Sequence, residues 1–387
     1  MSSGGAEENA GHTPGQFAGQ AAEEAAGHAL AHAPGQAPGH TAGRGHRNLV
    51  VRLVGILVSV LALWVVLRSV DLAKCADVIA HANPLPIAAC LLVIAAQVTL
   101  RSIRWRLLLP EPRDGHRLRV IRIMPAMLVG YLGNSVLPAR LGEPIRAYLV
   151  ARREDLDVAE AFGSVVLERV VDTATLALLA FVAAIAVNAT SWIVQATGLA
   201  ALIGCAATAA LVIVGPTPLV RIARRIVARL PVATRLEPIM ARLDDFARGI
   251  DKPSRSGAIV YAALISAACW GLDATTFWLV AQSIGAPVSP AAALLIGGVT
   301  VLGTALPSAP GYVGTFDLAA STTAQALGVA AAPALALAVL AHAATLLPTA
   351  GGGAVSLLAM NVRLGRLATD AAAAERGPAA AAESEAT

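Results

Sequence analysis

Residues 130–153 read GYLGNSVLPARLGEPIRAYLVARR, and the folding of this stretch decides the fold of the chain. An apolar run is stopped at Pro138, carries Arg140 and Glu143 at the break and resumes behind Pro144. That pattern predicts a helix, a bend and a second helix. Crossing a hydrocarbon core takes about 20 apolar residues, so the two pieces together are too short to cross twice. A second broken stretch, GTALPSAPGYVGTFD at Gly303–Asp317, has the same plan: an apolar half-helix, a Leu-Pro stop, a glycine-bearing turn and an acidic residue opening the next helix. Paired interruptions in the two halves of an apolar chain point to a transport site.

The rest of the chain agrees with that reading. Of 387 residues, 56% are hydrophobic and 14% charged, with a mean hydropathy of +0.67. This exceeds what a soluble domain can bury and predicts an all-α, polytopic membrane protein. The net charge of +4 sits in short loops beside apolar segments, which is the positive-inside pattern and not a nucleic-acid surface. Cys75, Cys90, Cys205 and Cys269 show no metal or redox spacing. No catalytic triad, P-loop or zinc set is present in the sequence, so neither a catalytic group nor a cofactor nor a metal is expected. Asp155-Leu156-Asp157 has the form of a DxD motif but reads as a solvated charged turn.

Residues 1–46, rich in Gly, Ala, Pro and His, read as a disordered cytoplasmic tail. His12, His28, His32, His40 and His46 are spaced too irregularly for a metal set. Residues 47–362 read as the transmembrane domain and 363–387 as a second disordered tail. Crossings are expected at about 53–67, 84–100, 163–187, 192–214, 258–282 and 332–360, with broken hairpins at 123–150 and 291–327. The arginines from Arg101 to Arg122 are read as a basic loop, and residues 215–257 as a basic cytoplasmic loop with a surface helix facing anionic inner-leaflet headgroups. This gives about six crossings, two inverted repeats and both termini in the cytoplasm of a bacterial inner membrane. A homodimer is compatible with the sequence.

Ionisable side chains in apolar segments are costly, so each is a candidate for function. Glu168 and Asp172 lie at i and i+4 with Arg169 beside them, and Asp273 and His342 are more isolated. An internal ion pair is the structural alternative for the first group. At the first hairpin the free N–H groups of the second half-helix, with Arg140, suit a phosphate or another anion. Glu143 either caps that helix or pairs with Arg140 or Arg146, and Asn134 adds an uncharged donor and acceptor. The second hairpin offers Ser308, Gly311, Tyr312, Gly314 and Asp317, where glycines allow close backbone approach; a plain tight turn is the alternative.

At these residues the chain resembles the membrane domain of lysylphosphatidylglycerol synthases and its stand-alone, flippase-like relatives. The resemblance is carried by RSIRW at Arg101–Trp105, NSVLPARLGEPIRAYLVARR at Asn134–Arg153, VVLERVVD at Val165–Asp172 and LPSAPGYVGTFD at Leu306–Asp317. The last motif usually runs closer to PGGLG followed by Glu; here Tyr312 and Val313 intervene and Asp317 replaces Glu. The resemblance implies a lipid translocase that moves an anionic or glycosylated lipid between leaflets, with a phospholipid or lipid-linked glycan as partner. An archaeal branch implies the alternative, a polyprenol-phosphate-dependent glycosyltransferase or its accessory subunit.

Overall fold

The computed structural model describes residues 57–370, apart from 66, 69, 138–139, 229–232, 256, 305–307, 366 and 368. The tail at 1–46, its histidines, most of 363–387 and the stops at Pro138, Leu306 and Pro307 lie outside the described residues. The described chain is helical throughout. Helix α1 spans 57–65, and α2 to α7 span Leu72–Ala80, Pro84–Leu108, Val120–Val136, Gly142–Arg153, Val158–Ala186 and Ser191–Ile213. Helices α8 to α13 span Thr217–Val227, Ala233–Arg255, Ala258–Ser283, Pro290–Gly303, Thr315–Ala326 and Ala331–Met360.

Among the described residues, five helices, α3, α6, α7, α10 and α13, are long and apolar enough to cross a membrane. Their ends are set locally. Asp71 and Asp157 accept from the first N–H groups of α2 and α6, Asn83 and Ser289 do so at α3 and α11, and proline follows each of the latter two. Of the crossing expected at 53–67, residues 57–65 are helical and present Leu57, Val60, Leu61 and Trp64 outward, as a lipid-facing helix would.

Two boundaries correct the sequence reading. Helix α3 does not stop at Leu100 but continues to Leu108. Arg101, Arg104 and Arg106 are therefore helical, and Arg104 is 1% exposed. A charge density that reads as a loop is here two inward-facing arginines on a membrane helix. Likewise, residues 215–257 hold two helices, and α9 packs along α6 with Met240, Ala247 and Ile250 buried. Only α8, with Ile222 and Ile226 exposed, keeps the form of a surface helix.

The broken stretches are short helix pairs, α4–α5 and α11–α12, neither member of which is long enough to cross. In the first pair the two backbones touch: a Cβ on Gly142 would overlap the Gly130 carbonyl oxygen and come within 2.6 Å of the Asn134 amide oxygen. The order of a long helix, two short ones and another long one then occurs twice, as α3–α6 and α10–α13. Packing is reciprocal. Helix α3 lies on α10, α4 lies on α13 of the other half, and α11 lies on α6.

Candidate functional site

The site is built on α3. Its turn RSIRW puts Arg101 and Arg104 three residues apart on one face, with Trp105 beside them. Trp105 is fully buried and its indole N–H donates to Ser164 at 3.2 Å, fixing α3 against α6. Arg104 then reaches both carboxylates that α6 presents at i and i+4. It bonds Glu168 at 2.8 Å and also Asp172, and donates to the Ser266 hydroxyl of α10 at 2.6 Å.

Glu168 is the hub of this network. It also pairs with Arg146 of α5 at 3.1 Å and accepts from its neighbour Arg169 at 2.7 Å. Arg146 lies over the Trp105 ring at 4.6 Å. The charges of α3, α5 and α6 thus offset one another in a buried interior, where an unpaired charge is prohibitively costly. A second pair, Arg101 with Asp273 at 3.2 Å, joins α3 to α10, and Arg101 also lies 5.1 Å from the Trp270 ring centre.

These groups form one wall of a cavity of about 270 Å³. Arg101, Arg169, Asp172 and Asp273 line it from α3, α6 and α10; Asn134, Arg140 and Glu143 come from the first hairpin, Thr304, Tyr312 and Phe316 from the second, and His342, Thr345 and Thr349 from α13. Arg140 spans the two hairpins. Its guanidinium donates to the Thr304 carbonyl at 2.6 Å and lies 5.6 Å from the Tyr312 ring centre. Among the described residues no carboxylate comes within ion-pair distance of Arg140, whereas Arg101, Arg104, Arg146 and Arg169 each have one. Both Arg140 and Tyr312 hold positive φ, 55° and 60°, a conformation that costs a non-glycine residue roughly 1–2 kcal/mol. Strain of this kind collects at functional positions.

The residues singled out from the sequence therefore divide. Asn134, Arg140, Glu143, Arg169, Asp172, Asp273 and Tyr312 line the cavity. Arg146 and Glu168 sit behind the wall in the ion network. Ser308, Gly311, Gly314 and Asp317 stay in the turn and its cap: Asp317 accepts from Gly314 N–H at 3.1 Å, and the Gly311 carbonyl faces His342 at 2.8 Å.

Some partners differ from those expected. Glu143 pairs with neither Arg140 nor Arg146; it lies 4.0 Å from Arg169, because Glu168 has already taken Arg146. Asn134 accepts from Gly142 N–H at 2.9 Å, so one of the N–H groups assigned to an anion is used to close the hairpin. Asp157 of the DxD look-alike caps α6, and Asp155 and Asp157 lie beside Arg113 in the loop.

Sequence reasoning missed Arg101 and the ring donors Trp105 and Trp270. The available signal was the i, i+3 arginine pair of RSIRW, whose two charges need buried acids: Arg104 takes both carboxylates of ERVVD, and Arg101 takes Asp273.

The chain is similar to Glycosyltransferase AglD of Haloferax volcanii, at 30% identity over 343 residues covering 80% of this chain and 54% of that protein. It is also similar to UPF0104 membrane protein MJ1595 of Methanocaldococcus jannaschii, at 31% identity over 122 residues, 31% of this chain and 35% of that protein. The chain thus spans about half of AglD or less of each relative. No solved structure matches it. The family model for the lysylphosphatidylglycerol synthase TM region matches residues 52–352, a span that includes the buried Arg104–Glu168 network, the cavity and both hairpins, and the chain is a multi-pass membrane protein belonging to that family.

Proposed function

We propose that the protein is a lipid translocase: the cavity takes the anionic or glycosylated headgroup of a membrane lipid, while the acyl chains remain in the bilayer. The observation that carries this reading is Arg140, a cation with no carboxylate partner among the described residues, which faces a cavity bounded by both hairpins. A phosphate oxygen there would gain charge-assisted bonds that water and the Thr304 carbonyl supply only in part. Size supports the same class. About 270 Å³ lies just below the range usual for ligand sites, roughly 300–1,000 Å³, which suits a headgroup and not a whole lipid.

The halves are read as inverted, the first hairpin entering from the cytoplasm and the second from outside, with both termini cytoplasmic in the bacterial inner membrane. Support comes from the reciprocal packing of α4 on α13 and α11 on α6, and from the arginines at 106–122 and 221–248, which cluster beside the ends of the spanning helices α3, α7 and α10 as the positive-inside rule expects of one side. The surface of α8, with Arg221 and Arg225, suits anionic headgroups on that side, whereas Arg224 is paired with Glu237 and Asp244 of α9.

Native mass spectrometry of the purified protein tests the headgroup assignment. Phosphate-bearing lipid is expected to remain on the parent and to be lost from Arg140→Ala; equal retention by both would overturn it. The similarity to Glycosyltransferase AglD favours one second reading, a role in lipid-linked glycosyl transfer. Glycolipid product formed by the purified chain from a sugar donor would establish that role in place of transport.

A further inference from the structure

His342 of α13 and Asp317 of α12 make a pair that the headgroup reading does not use. Both are about nine-tenths buried, with side chains 11% and 10% exposed, and the imidazole stacks on Phe316 with ring centres 4.3 Å apart. Each ring nitrogen faces an oxygen. His342 Nε2 is 2.8 Å from the Gly311 carbonyl, and Nδ1 is 3.3 Å from Asp317 Oδ1. A carbonyl oxygen only accepts, so Nε2 carries a proton and donates it. Asp317 uses its other oxygen, Oδ2, to accept from Gly314 N–H.

A neutral imidazole and a carboxylate hold one proton between them, and these two contacts need two. With one, the lone pair of Nδ1 would face a carboxylate oxygen in a buried site. We propose that His342 and Asp317 form a binding site for a transported proton, taken from water in the cavity and held between Nδ1 and Oδ1. Its release, to water that reaches the cavity from the opposite face, leaves two acceptors facing each other and frees the turn of the second hairpin.

The turn is built to be released. Gly311, Tyr312 and Gly314 all hold positive φ, 71°, 60° and 87°, and the Gly311 carbonyl is held by the imidazole. Tyr312 in turn lies against Arg140. Proton occupancy therefore sets the position of the ring that shares the headgroup cation, which couples proton movement to headgroup movement. The other charged or titratable groups around His342 are Tyr312 of the same turn, Tyr131 of α4, Arg101 of α3 and Asp273 of α10, with Arg140, Glu143, Arg169 and Asp172 across the cavity. On α2, which also packs on α13, Asp71, Lys74 and Asp77 are exposed. Of these neighbours, the carboxylates beside Arg101 and Arg169 are already paired.

The proposal rests on reading the cavity as a transport site, but its test needs no transport. A nitroxide is placed at Val313→Cys, on the exposed part of the turn, with the four native cysteines replaced by alanine, in vesicles of phosphatidylethanolamine and phosphatidylglycerol. Across about pH 5 to 9 the label is expected to be ordered at the acid end and to gain mobility severalfold at the alkaline end. Asp317→Asn, whose amide N–H can donate to Nδ1, is expected to stay ordered throughout, and His342→Ala to stay mobile. If Asp317→Asn does not insert, His342→Gln supplies a group that does not titrate, and its label mobility is expected to be independent of pH. A parent label insensitive to pH, or a variant lacking the pair that titrates like the parent, would overturn the proposal. Loss of lipid transport with the label titration intact would instead remove the headgroup reading alone.

Discussion

Replacing Arg140 with either alanine or glycine separates binding from architecture, because the two variants differ in strain and not in charge. Each loses the donor to the Thr304 carbonyl, 2.6 Å away, a charged hydrogen bond worth about 1.5–3 kcal/mol. Each also loses the Tyr312 contact, worth roughly 0.5–1 kcal/mol. Alanine inherits the left-handed backbone at φ 55°, whereas glycine relieves roughly 1–2 kcal/mol of it against about 0.4–1 kcal/mol of added freedom in the unfolded chain. Arg140→Gly is therefore expected to melt above Arg140→Ala, by about 1 kcal/mol, measured by thermal unfolding in detergent. For a headgroup cation both variants should lose affinity alike, by roughly 1.5–3 kcal/mol or tenfold to a hundredfold, read from titration with a fluorescent anionic phospholipid. Arg140→Lys should recover only part, since an ammonium does not reproduce the planar fork. If binding instead followed melting temperature, with the glycine variant close to the parent, Arg140 would be a brace and the headgroup assignment would be refuted.

Glu168→Ala is expected to cost about 3–5 kcal/mol, since Arg104, Arg146 and Arg169 all pair with that carboxylate; parent-like yield and melting would contradict the network's role. Gly142→Ala forces a methyl group into the Gly130 carbonyl and should destabilise by about 1–3 kcal/mol, whereas Gly271→Ala, with open space around it, should be nearly silent in the same melt. Outside the membrane helices, His116 sits between Glu154 and Asp114, whose carboxylates raise its pKa above the ordinary 6.5. That contribution to stability is full below about pH 6.5 and is lost as pH rises through the higher folded value. Replacing it with glutamine should flatten the melting temperature over that window, and an unchanged slope would remove His116 as its source.

Much of this was legible because the membrane makes polar residues conspicuous. Pro138 and Pro144 mark the first hairpin, and its charges stand out in an apolar chain, so Arg140, Glu143 and Tyr312 were found where they line the cavity. The partners were not legible. Glu143 was expected beside Arg140 or Arg146, but which arginine meets which carboxylate depends on how α3, α5 and α6 are rotated against one another, and sequence spacing fixes only residues on one helix. Arg101 and Arg104 were misread for a related reason. Local charge density cannot distinguish arginines leaving a membrane helix from arginines turned inward to buried acids sixty or more residues away. The same limit hid the pairing of His342 with Asp317, which joins two helices through a turn.

The most direct test is translocation in reconstituted vesicles. A fluorescent phosphatidylglycerol is placed in both leaflets and the outer leaflet is quenched with dithionite. The parent protein is expected to move lipid from the protected leaflet, so that the signal falls beyond the outer-leaflet fraction, and Arg140→Gly, inserted and still folded at the assay temperature, is expected to slow this movement tenfold or more. Arg140→Gly moving lipid at the parent rate, or uptake of a soluble solute by the parent with no redistribution of lipid, would contradict it.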